Sequence, residues 1–377
     1  MRERNEPEIR QLTHSNFPLA GRLRQLEQAI DVKLMSRIDA SYEMVSSGFF
    51  GYDPVPAVRN DKPDIVQLNW VGNSSVKVSR LSRIQVPIVC RLPDMWAFCG
   101  VEHYTTDTVR FVEGYSKSNR PANLQGLDVS RWAWEKKKRA YSRIRSLTIV
   151  TPSKWLADCA KQSALFHDRN VVVIKTGCDT VTFHPREKDA CREVLEVPKN
   201  KFIVLAGAGN LRALRKGTDL LVEAINKLSK LMPSGAFELV LFGYGGNDVE
   251  QNLTCKTHYF GPVMSNLLLS SLYAAADVFV ASSRQDNLAN TVLEAMACSR
   301  PCVAFNIGGM PDAIDHCLNG YLAKPYDTDD LAAGILWALT KTTSAHRESA
   351  RQKIETFFNQ ELQASQYRAL YEKLLRE

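Results

Sequence analysis

Residues 286–310 read DNLANTVLEAMACSRPCVAFNIGGM, and this stretch decides the fold. Asp286 lies in a predicted loop, and Glu294 follows on a helix that we expect to begin near Asn290. A short apolar run and a Gly-Gly turn at Gly308 come next. The succession of loop, helix, strand and turn is typical of one repeating unit of a parallel α/β sheet.

The two acids of this stretch, taken with the helix, favour an anionic ligand that carries hydroxyl groups. Carboxylates accept hydrogen bonds from ribose and hexose hydroxyls. The free N–H groups and the positive dipole end of a helix favour a diphosphate. An ordinary amphipathic helix with two solvated acids has the same spacing, so the acid pair alone is weak. The strand and the Gly-Gly turn at the expected places favour a sugar-nucleotide site.

Length and composition indicate a globular protein of two domains. The chain has 377 residues, more than one hydrophobic core usually organises. It is 45% hydrophobic and 24% charged, which is typical of a folded, water-soluble protein. No apolar run has the length of a membrane span, and the start, MRERNEPEIR, is unlike a signal peptide. The nine scattered cysteines form no zinc pattern, so we expect reduced thiols in the cytoplasm.

The net charge of +7 is concentrated in residues 131–145, RWAWEKKKRAYSRIR, which hold seven basic residues and one acid. A basic helix interleaved with aromatic residues is able to lie on an anionic membrane surface. The commoner alternative is a solvated helix whose aromatic residues, here Trp132, Trp134 and Tyr141 with Ile144, turn to the core. No nucleic-acid-binding motif accompanies the charge, so we expect no nucleic-acid partner.

Short apolar runs alternate with amphipathic stretches along the chain, which predicts parallel, doubly wound sheets. The predicted helices include 218–231, 266–276 and 329–339. The predicted strands are 65–68, 87–90, 147–150, 171–174, 202–206, 239–242, 277–281 and 301–305. We expect an N-terminal domain over residues 1–177 and a C-terminal domain over 178–351. We expect residues 352–377 to hold a last helix, from Gln352 to Leu375, which carries apolar residues at helical spacing and crosses back to the first domain.

Several segments resemble bacterial polysaccharide glycosyltransferases of the retaining GT-B class, family 4, also called glycosyl transferases group 1. An acid, seven residues and then Glu is the donor-site signature of that family, usually with Glu rather than Asp at the first position. The likeness runs from about Asp64 to about Ala323 and includes the segments 64–73, 91–104, 150–166 and 171–185. The resemblance implies two Rossmann-like domains that face each other across a cleft, with ligands at the carboxyl ends of the strands.

The resemblance also implies a donor-binding set in the second domain. The family places an Arg and a Lys-Gly after the first strand of that domain, because cations stabilise the leaving diphosphate. Lys216 matches the Lys, whereas Asn210 stands at the Arg position, so Arg212 or Arg215 is expected to supply that charge. The alternative is a loop with solvated basic residues. The family Glu that accepts both ribose hydroxyls corresponds to Glu294.

Asp286 would hold a hydroxyl of the donor sugar. The remaining implied donor contacts are two glycines near the nucleobase and the residues that lead into the helix, namely Gly243, Gly245, Asn287, Leu288, Ala289, Asn290 and Thr291.

Asp94 and His103 are the candidates on the acceptor side and, with Asp286, complete the predicted catalytic set. Many family members carry His-Asp where this chain reads Pro93-Asp94. Asp94 would orient or deprotonate the acceptor hydroxyl, or else only cap a helix. His103 would hydrogen-bond the donor sugar or the acceptor, or else be structural. The family implies no metal ion or other cofactor, since the leaving phosphate itself assists deprotonation.

Family members begin with a strand, a Gly-rich loop and a helix, and residues 1–60 contain no apolar strand followed by glycines. We therefore expect the first domain to lack this unit and donor turnover to be impaired.

Together these features predict a metal-independent, retaining hexosyltransferase. It would transfer a sugar from a UDP- or GDP-sugar to a saccharide or lipid-linked saccharide in the synthesis of lipopolysaccharide O-antigen, capsule or exopolysaccharide. We expect it in the cytoplasm, peripheral to the inner membrane face if residues 131–145 bind lipid. Two alternatives remain: a catalytically impaired GT-B homologue that acts as a binding or scaffold protein, and a GT-B sugar-nucleotide epimerase.

Overall fold

The computed structural model describes residues 44–106, 108–122, 124 and 126–377, together with residues 26, 27, 29–31, 33 and 35. The chain forms two compact units. The first comprises Met1–Ile149 and Ala160–Val171, and the second comprises Val150–Cys159 and Val172–Glu377. The expected absence of a first strand, Gly-rich loop and helix falls mainly outside the described residues.

The first sheet has four strands in the order β1-β2-β3-β4. Strands β1 and β2 pair in parallel. Every position of β3 is buried, as expected for a continuous apolar run covered on both faces. Each predicted strand in this part of the chain is confirmed to within one residue. The strands are Val66–Asn69 (β1), Ile88–Arg91 (β2), Leu147–Thr151 (β3) and Asn170–Val173 (β4), and the helices are Val55–Asp61 (α1), Val78–Leu81 (α2), Thr108–Glu113 (α3), Val129–Tyr141 (α4) and Lys154–Gln162 (α5).

The basic stretch forms helix α4, which begins after Asp128, whose side chain accepts a hydrogen bond from the Arg131 backbone N–H. Trp134, Tyr141 and Ile144 are buried, whereas Trp132 is 40% exposed. Three of the four apolar residues therefore turn to the core, as the solvated-helix alternative predicts.

The second sheet has six parallel strands in the order β10-β9-β8-β5-β6-β7. The chain runs outward through β5, β6 and β7, and then returns to place β8 on the other side of β5. The strands are Phe202–Asn210 (β5), Phe237–Tyr244 (β6), Thr257–Tyr259 (β7), Val278–Ala281 (β8), Cys302–Phe305 (β9) and Gly320–Ala323 (β10). This reversal creates a topological switch point between β5 and β8, where open α/β sheets bind their ligands.

Helices cover both faces of the second sheet. Successive residues of a strand point to opposite faces, so a strand that is covered on both sides contributes to two hydrophobic clusters. In β5, Ile203 and Leu205 belong to one hydrophobic cluster, and Val204 and Ala206 to the other. The helices are Lys188–Val194 (α6), Thr218–Leu231 (α7), Asn247–Glu250 (α8), Asn266–Ala275 (α9), Asn290–Ala297 (α10), Met310–Ala313 (α11), Thr328–Thr340 (α12), Ser344–Phe357 (α13) and Gln360–Leu374 (α14).

The prediction of one helix from Gln352 to Leu375 is wrong. Helix α13 ends before Phe358, whose backbone leaves the helical region at φ −134° and ψ 22°. Helix α14 then begins after Asn359, whose side chain accepts a hydrogen bond from the Leu362 N–H at 2.6 Å. The apolar spacing continues across the break, so periodicity alone did not reveal it. The sequence reading also missed β7 and β10, which are short strands at the two edges of the sheet.

Candidate functional site

A solvent-open pocket of about 350 Å³ lies at the switch point of the second sheet. It is bounded by the carboxyl ends of β5 and β8, by the start of α7 and by the first turn of α10. The residues that contribute include Gly207, Ala208, Lys216, Ser282, Ser283 and Thr291. The pocket therefore occupies the position that the parallel topology reserves for a ligand.

Two glycines allow the loops around this pocket to approach one another closely. Gly217 has φ 64°, and a Cβ there would lie 2.1 Å from the backbone oxygen of Ser282. Gly308, in the predicted Gly-Gly turn, has φ 52°, and a Cβ would lie 1.8 Å from the backbone oxygen of Asp286. Only glycine adopts these conformations without steric cost. The loops before α7 and after β8 are thus held against each other.

Asp286 is the centre of an ion cluster beside the pocket. Its Oδ2 lies 2.6 Å from Lys216 Nζ and 3.3 Å from Arg215 Nη1, and it accepts a hydrogen bond from Ser283 Oγ at 3.4 Å. Asp286 is buried, whereas the side chains of Lys216 and Arg215 retain 22% and 24% exposure. Two cations around one carboxylate leave a net positive charge at the pocket, which suits an anionic ligand.

The two other donor-site candidates of this segment, Asn210 and Arg212, lie closer to the end of β5. Arg212 forms an exposed ion pair with Asp248 at 2.6 Å, and Asn210 Oδ1 accepts from the Arg212 backbone N–H at 3.0 Å. Of the two arginines left open by the sequence, Arg215 is therefore the one that joins Lys216 and Asp286. Gly243 has φ 122°, and a Cβ there would lie 1.9 Å from the backbone oxygen of Ala208.

Gly245, with φ 82°, packs against the Arg212 side chain, since a Cβ there would lie 2.6 Å from Arg212 Cγ. Both glycines predicted near the nucleobase therefore have a positive φ and no room for a Cβ. Gly243 lies at the end of β6, and Gly245 lies beside the exposed Arg212–Asp248 pair.

Helix α10 begins at Asn290, as predicted, and Ala289 is its N-cap residue without a side-chain cap. The Val292 N–H donates to the Ala289 carbonyl at 3.0 Å, so within this first turn the Asn290 and Thr291 N–H groups are the ones available to an anion. Leu288 is buried beside them. Asn287 is also buried, and its Oδ1 accepts a hydrogen bond from Ser153 Oγ at 2.5 Å. This contact ties the loop before α10 to the start of α5, and the sequence did not reveal it.

Glu294 lies on the second turn of α10 and is partly exposed. Its Oε2 accepts a hydrogen bond from the Tyr273 hydroxyl at 2.9 Å, and Tyr273 is fully buried on α9. Burial raises the pKa of Glu294, and the Tyr273 hydrogen bond opposes that rise. Burial, followed by the nearby Glu294 charge, raises the pKa of Tyr273 well above its usual value. The neutral phenol therefore acts as a donor that holds the carboxylate.

In the first unit, Asp94 and His103 are brought together. His103 Nδ1 lies 2.7 Å from Asp94 Oδ2, and Nε2 lies 2.8 Å from Ser46 Oγ. Asp94 Oδ1 also accepts a hydrogen bond from the Trp96 N–H at 3.0 Å. Asp94 therefore accepts a bond from the backbone and pairs with His103 at the same time. His103 is 1% exposed, and both ring nitrogens are engaged. Ser46, which the sequence reading did not single out, completes this hydrogen-bonded chain.

Among the described residues, no group of three or more His, Cys, Asp or Glu side chains is arranged to hold a metal ion. Over the same part of the chain, no helix has the length and apolar character needed to cross a membrane.

Comparison with known proteins shows which families and structures this chain is similar to. Residues 202–341, which lie in the second unit, match the model of the family described as glycosyl transferases group 1. D-inositol 3-phosphate glycosyltransferase from Saccharomonospora viridis is 31% identical over 179 residues, covering 44% of this chain and 41% of that protein. N-acetyl-alpha-D-glucosaminyl L-malate synthase from Bacillus anthracis is 34% identical over 112 residues, covering 29% of each. The chain thus aligns with less than half the length of these relatives.

Solved structures extend the likeness to both units. Sucrose-phosphate synthase from Thermosynechococcus elongatus has a TM-score of 0.64 and 20% identity, over 85% of this chain and 76% of that one. Anabaena HepE in complex with UDP and glucose has a TM-score of 0.61 and 18% identity, over 84% and 80%. These neighbours have the GT-B fold, so the predicted fold class of two Rossmann-like domains is confirmed.

Proposed function

We propose that this protein is a glycosyltransferase whose second unit binds a nucleotide-sugar donor. The observation that carries the proposal is the pocket at the β5–β8 switch point, where the Arg215–Lys216–Asp286 cluster meets the first turn of α10. Cations and free backbone N–H groups at one pocket favour a diphosphate. Glu294 on the same helix offers a carboxylate for ribose hydroxyls.

Each group has a role that follows from its position. Lys216 and Arg215 stabilise the charge that develops on the leaving diphosphate. Asp286, once the cations turn to the phosphates, accepts a hydrogen bond from a hydroxyl of the donor sugar. The bond between the anomeric carbon and the diphosphate oxygen breaks, and the acceptor oxygen bonds to that carbon on the same face. The acceptor proton passes to the departing phosphate, so the reaction retains configuration and needs no metal ion.

Relatives support a nucleoside diphosphate donor, since the HepE structures contain UDP, with glucose or as UDP-glucose. Under the proposal, the nucleotide of the donor is UDP or GDP. The proposed acceptor is a saccharide or lipid-linked saccharide in surface polysaccharide synthesis, within the retaining family 4. Asp94 and His103 are proposed to lie on the acceptor side. His103 orients Asp94 rather than contacting the substrate, because both of its ring nitrogens are engaged.

A cytoplasmic, membrane-peripheral location forms part of the proposal. The side chains of Trp134, Tyr141 and Ile144 are buried and cannot insert into a membrane. Lipid binding would therefore depend mainly on exposed basic side chains, namely Lys138 and those of residues 139, 143 and 145. Electrostatic attraction of this kind is screened by salt. Binding to vesicles with anionic lipid should therefore disappear at high salt, and salt-independent binding would contradict a charge-only contact.

Calorimetry with UDP, GDP and ADP tests the donor site. We expect one nucleotide to bind and both Glu294→Ala and Lys216→Ala to weaken it, each by about 10- to 150-fold, because a hydrogen bond to a charged group is worth about 1.5–3 kcal/mol. Lys230→Ala is the matched control, since Lys230 is an exposed lysine at the far end of α7. Lys216→Ala should spare the binding of the free nucleoside, which has no phosphate.

Two other candidates make different predictions in the same experiment. A scaffold protein, favoured by Asn210 at the family's Arg position and by Pro93 before Asp94, would bind none of the three nucleotides. A sugar-nucleotide epimerase would bind the nucleotide but convert the donor sugar without an acceptor. Transfer of sugar to an added acceptor, with the nucleoside diphosphate released, distinguishes the transferase from both.

A further inference from the structure

A second cluster of charged side chains lies at the opposite, amino-terminal edge of the second sheet. Asp277 directly precedes β8, and Arg300 lies two residues before β9. Lys188 and Arg192 on α6 and Arg347 on α13 are the other members. The cluster thus contains four cations and one carboxylate, and the proposed donor pocket, at the carboxyl edge, uses none of them.

The carboxylate of this cluster is already paired with the two cations of α6. Asp277 Oδ1 pairs with Lys188, and Oδ2 accepts from Arg192 Nη2 and from the Ile203 N–H, each at 2.7 Å. Arg192 is in turn satisfied, because Nε and Nη1 donate to backbone carbonyls of residues 275, 198, 199 and 201. Among the described residues, no hydrogen bond or ion pair joins Asp277 to Arg300 or Arg347.

Arg300 differs from Arg192 in having nothing to donate to. It is only 6% exposed, and across the described part of the chain its guanidinium has no hydrogen-bond or ion-pair partner. Its Nε is fully buried, and so is the Nε of Arg347, which also lacks a partner among the described residues. Burial, and next the charge of Arg347, lower the pKa of the Arg300 guanidinium. Each of these two guanidinium groups thus has a buried Nε donor without a described partner, and the charge of Arg347 acts on Arg300.

Such an arrangement is unfavourable unless an acceptor is present. A buried cation without a partner loses its hydration, and a neighbouring like charge adds repulsion. The planar fork of a guanidinium matches the oxygens of a phosphate group, and two guanidinium groups offer enough donors for several oxygens. We propose that Arg300 and Arg347 form a binding site for a phosphate group, either inorganic phosphate or a phosphomonoester, distinct from the donor pocket.

Thermal unfolding of the full chain in inorganic phosphate tests this site. Chloride at matched ionic strength serves as the reference, and saturating nucleotide occupies the donor pocket. A ligand that binds only the folded state raises the unfolding midpoint with its concentration. We expect phosphate to raise the midpoint of the wild type and of Lys216→Ala alike. Arg300→Met should weaken the apparent phosphate affinity about tenfold or more, because hydrogen bonds to an ionised group are lost.

Three comparisons make the outcome decisive. Arg347→Met should also weaken the phosphate response, and it decides the question alone if Arg300→Met does not fold. Arg143→Met, an exposed arginine in the first unit, is the matched control and should respond like the wild type. Glycerol 3-phosphate, tested beside inorganic phosphate, tells a phosphomonoester site from one for the free ion. The proposal is overturned if phosphate has no effect beyond chloride, or if both cluster variants respond as the wild type does.

Discussion

Replacing Tyr273 with Phe tests whether the buried phenol controls the donor site through Glu294. The substitution removes only the hydroxyl that donates to Glu294 Oε2 at 2.9 Å. Because Tyr273 is fully buried and packs against Phe279 with ring centroids 5.5 Å apart, a phenylalanine of the same shape fills the space. Glu294 then loses its orienting donor while the core remains packed. The prediction rests on the proposed contact between Glu294 and the ribose.

The expected magnitude follows from the nature of this hydrogen bond. A hydrogen bond to an ionised group contributes about 1.5–3 kcal/mol, and water recovers part of that at a partly exposed carboxylate. We expect a loss of about 1–2 kcal/mol in nucleotide binding, which is about 5- to 30-fold in Kd. The loss should be smaller for the 2′-deoxy nucleotide, which lacks one of the hydroxyls that Glu294 is proposed to bind.

The pH dependence provides a second measurement with a defined sign. Burial raises the pKa of Glu294, and the Tyr273 hydroxyl lowers it. The ionised carboxylate binds the ribose, so affinity should fall as the pH drops through this raised pKa. Without the hydroxyl the pKa rises further, because nothing opposes the effect of burial. The midpoint of the affinity profile should therefore move to higher pH in Tyr273→Phe.

Calorimetry with the ribose and 2′-deoxyribose forms of the bound nucleoside diphosphate, from acidic to neutral pH, measures both effects. Tyr321→Phe is the matched control, since the Tyr321 hydroxyl donates to Asp330 Oδ1 at 2.8 Å, another tyrosine–carboxylate bond. It should leave nucleotide binding unchanged. An equal loss for both nucleotides with an unmoved pH midpoint would refute the role of Tyr273. Failure of the wild type to bind any nucleotide would instead refute the proposed function.

Three further predictions concern stability, each measured by urea unfolding. Gly217→Ala should destabilise the protein by about 1–3 kcal/mol, because the residue has a left-handed backbone conformation and the added Cβ would clash with Ser282. Gly209→Ala is the control and should cost less, because no atom lies within 4 Å of its added Cβ. Lys137 is buried, and its pKa is lowered to about 7, so above that pH the unfolded chain binds more protons than the folded one. The free energy of unfolding of the wild type should therefore rise relative to that of Lys137→Met between about pH 7 and 10, by up to about 1.4 kcal/mol per pH unit. Asn359→Ala should cost about 1 kcal/mol by removing the cap of α14, and an unchanged unfolding midpoint would contradict that role.

The interior strands and helix α7 could be predicted because their patterns are local. Residues 202–206 of β5 and the whole of β8 are continuous apolar runs, and α7 has the predicted bounds of Thr218 and Leu231. The edge strands of the second sheet, β7 and β10, were missed because both are short and neither is buried along its whole length. β7, Thr257–Tyr259, is three residues long and has no fully buried position.

The sequence by itself determined the α/β alternation, the start of α10 at Asn290 and the residue types that a phosphate-bearing ligand requires. Those features depend on neighbours along the chain. Tertiary structure decided which side chains meet. Ser46 reaches His103 across 57 positions and Tyr273 reaches Glu294 across 21, distances over which no periodic pattern carries information. The choice between Arg212 and Arg215 was likewise made by the folded loop, because Arg212 pairs with Asp248 after β6 and Arg215 pairs with Asp286 after β8.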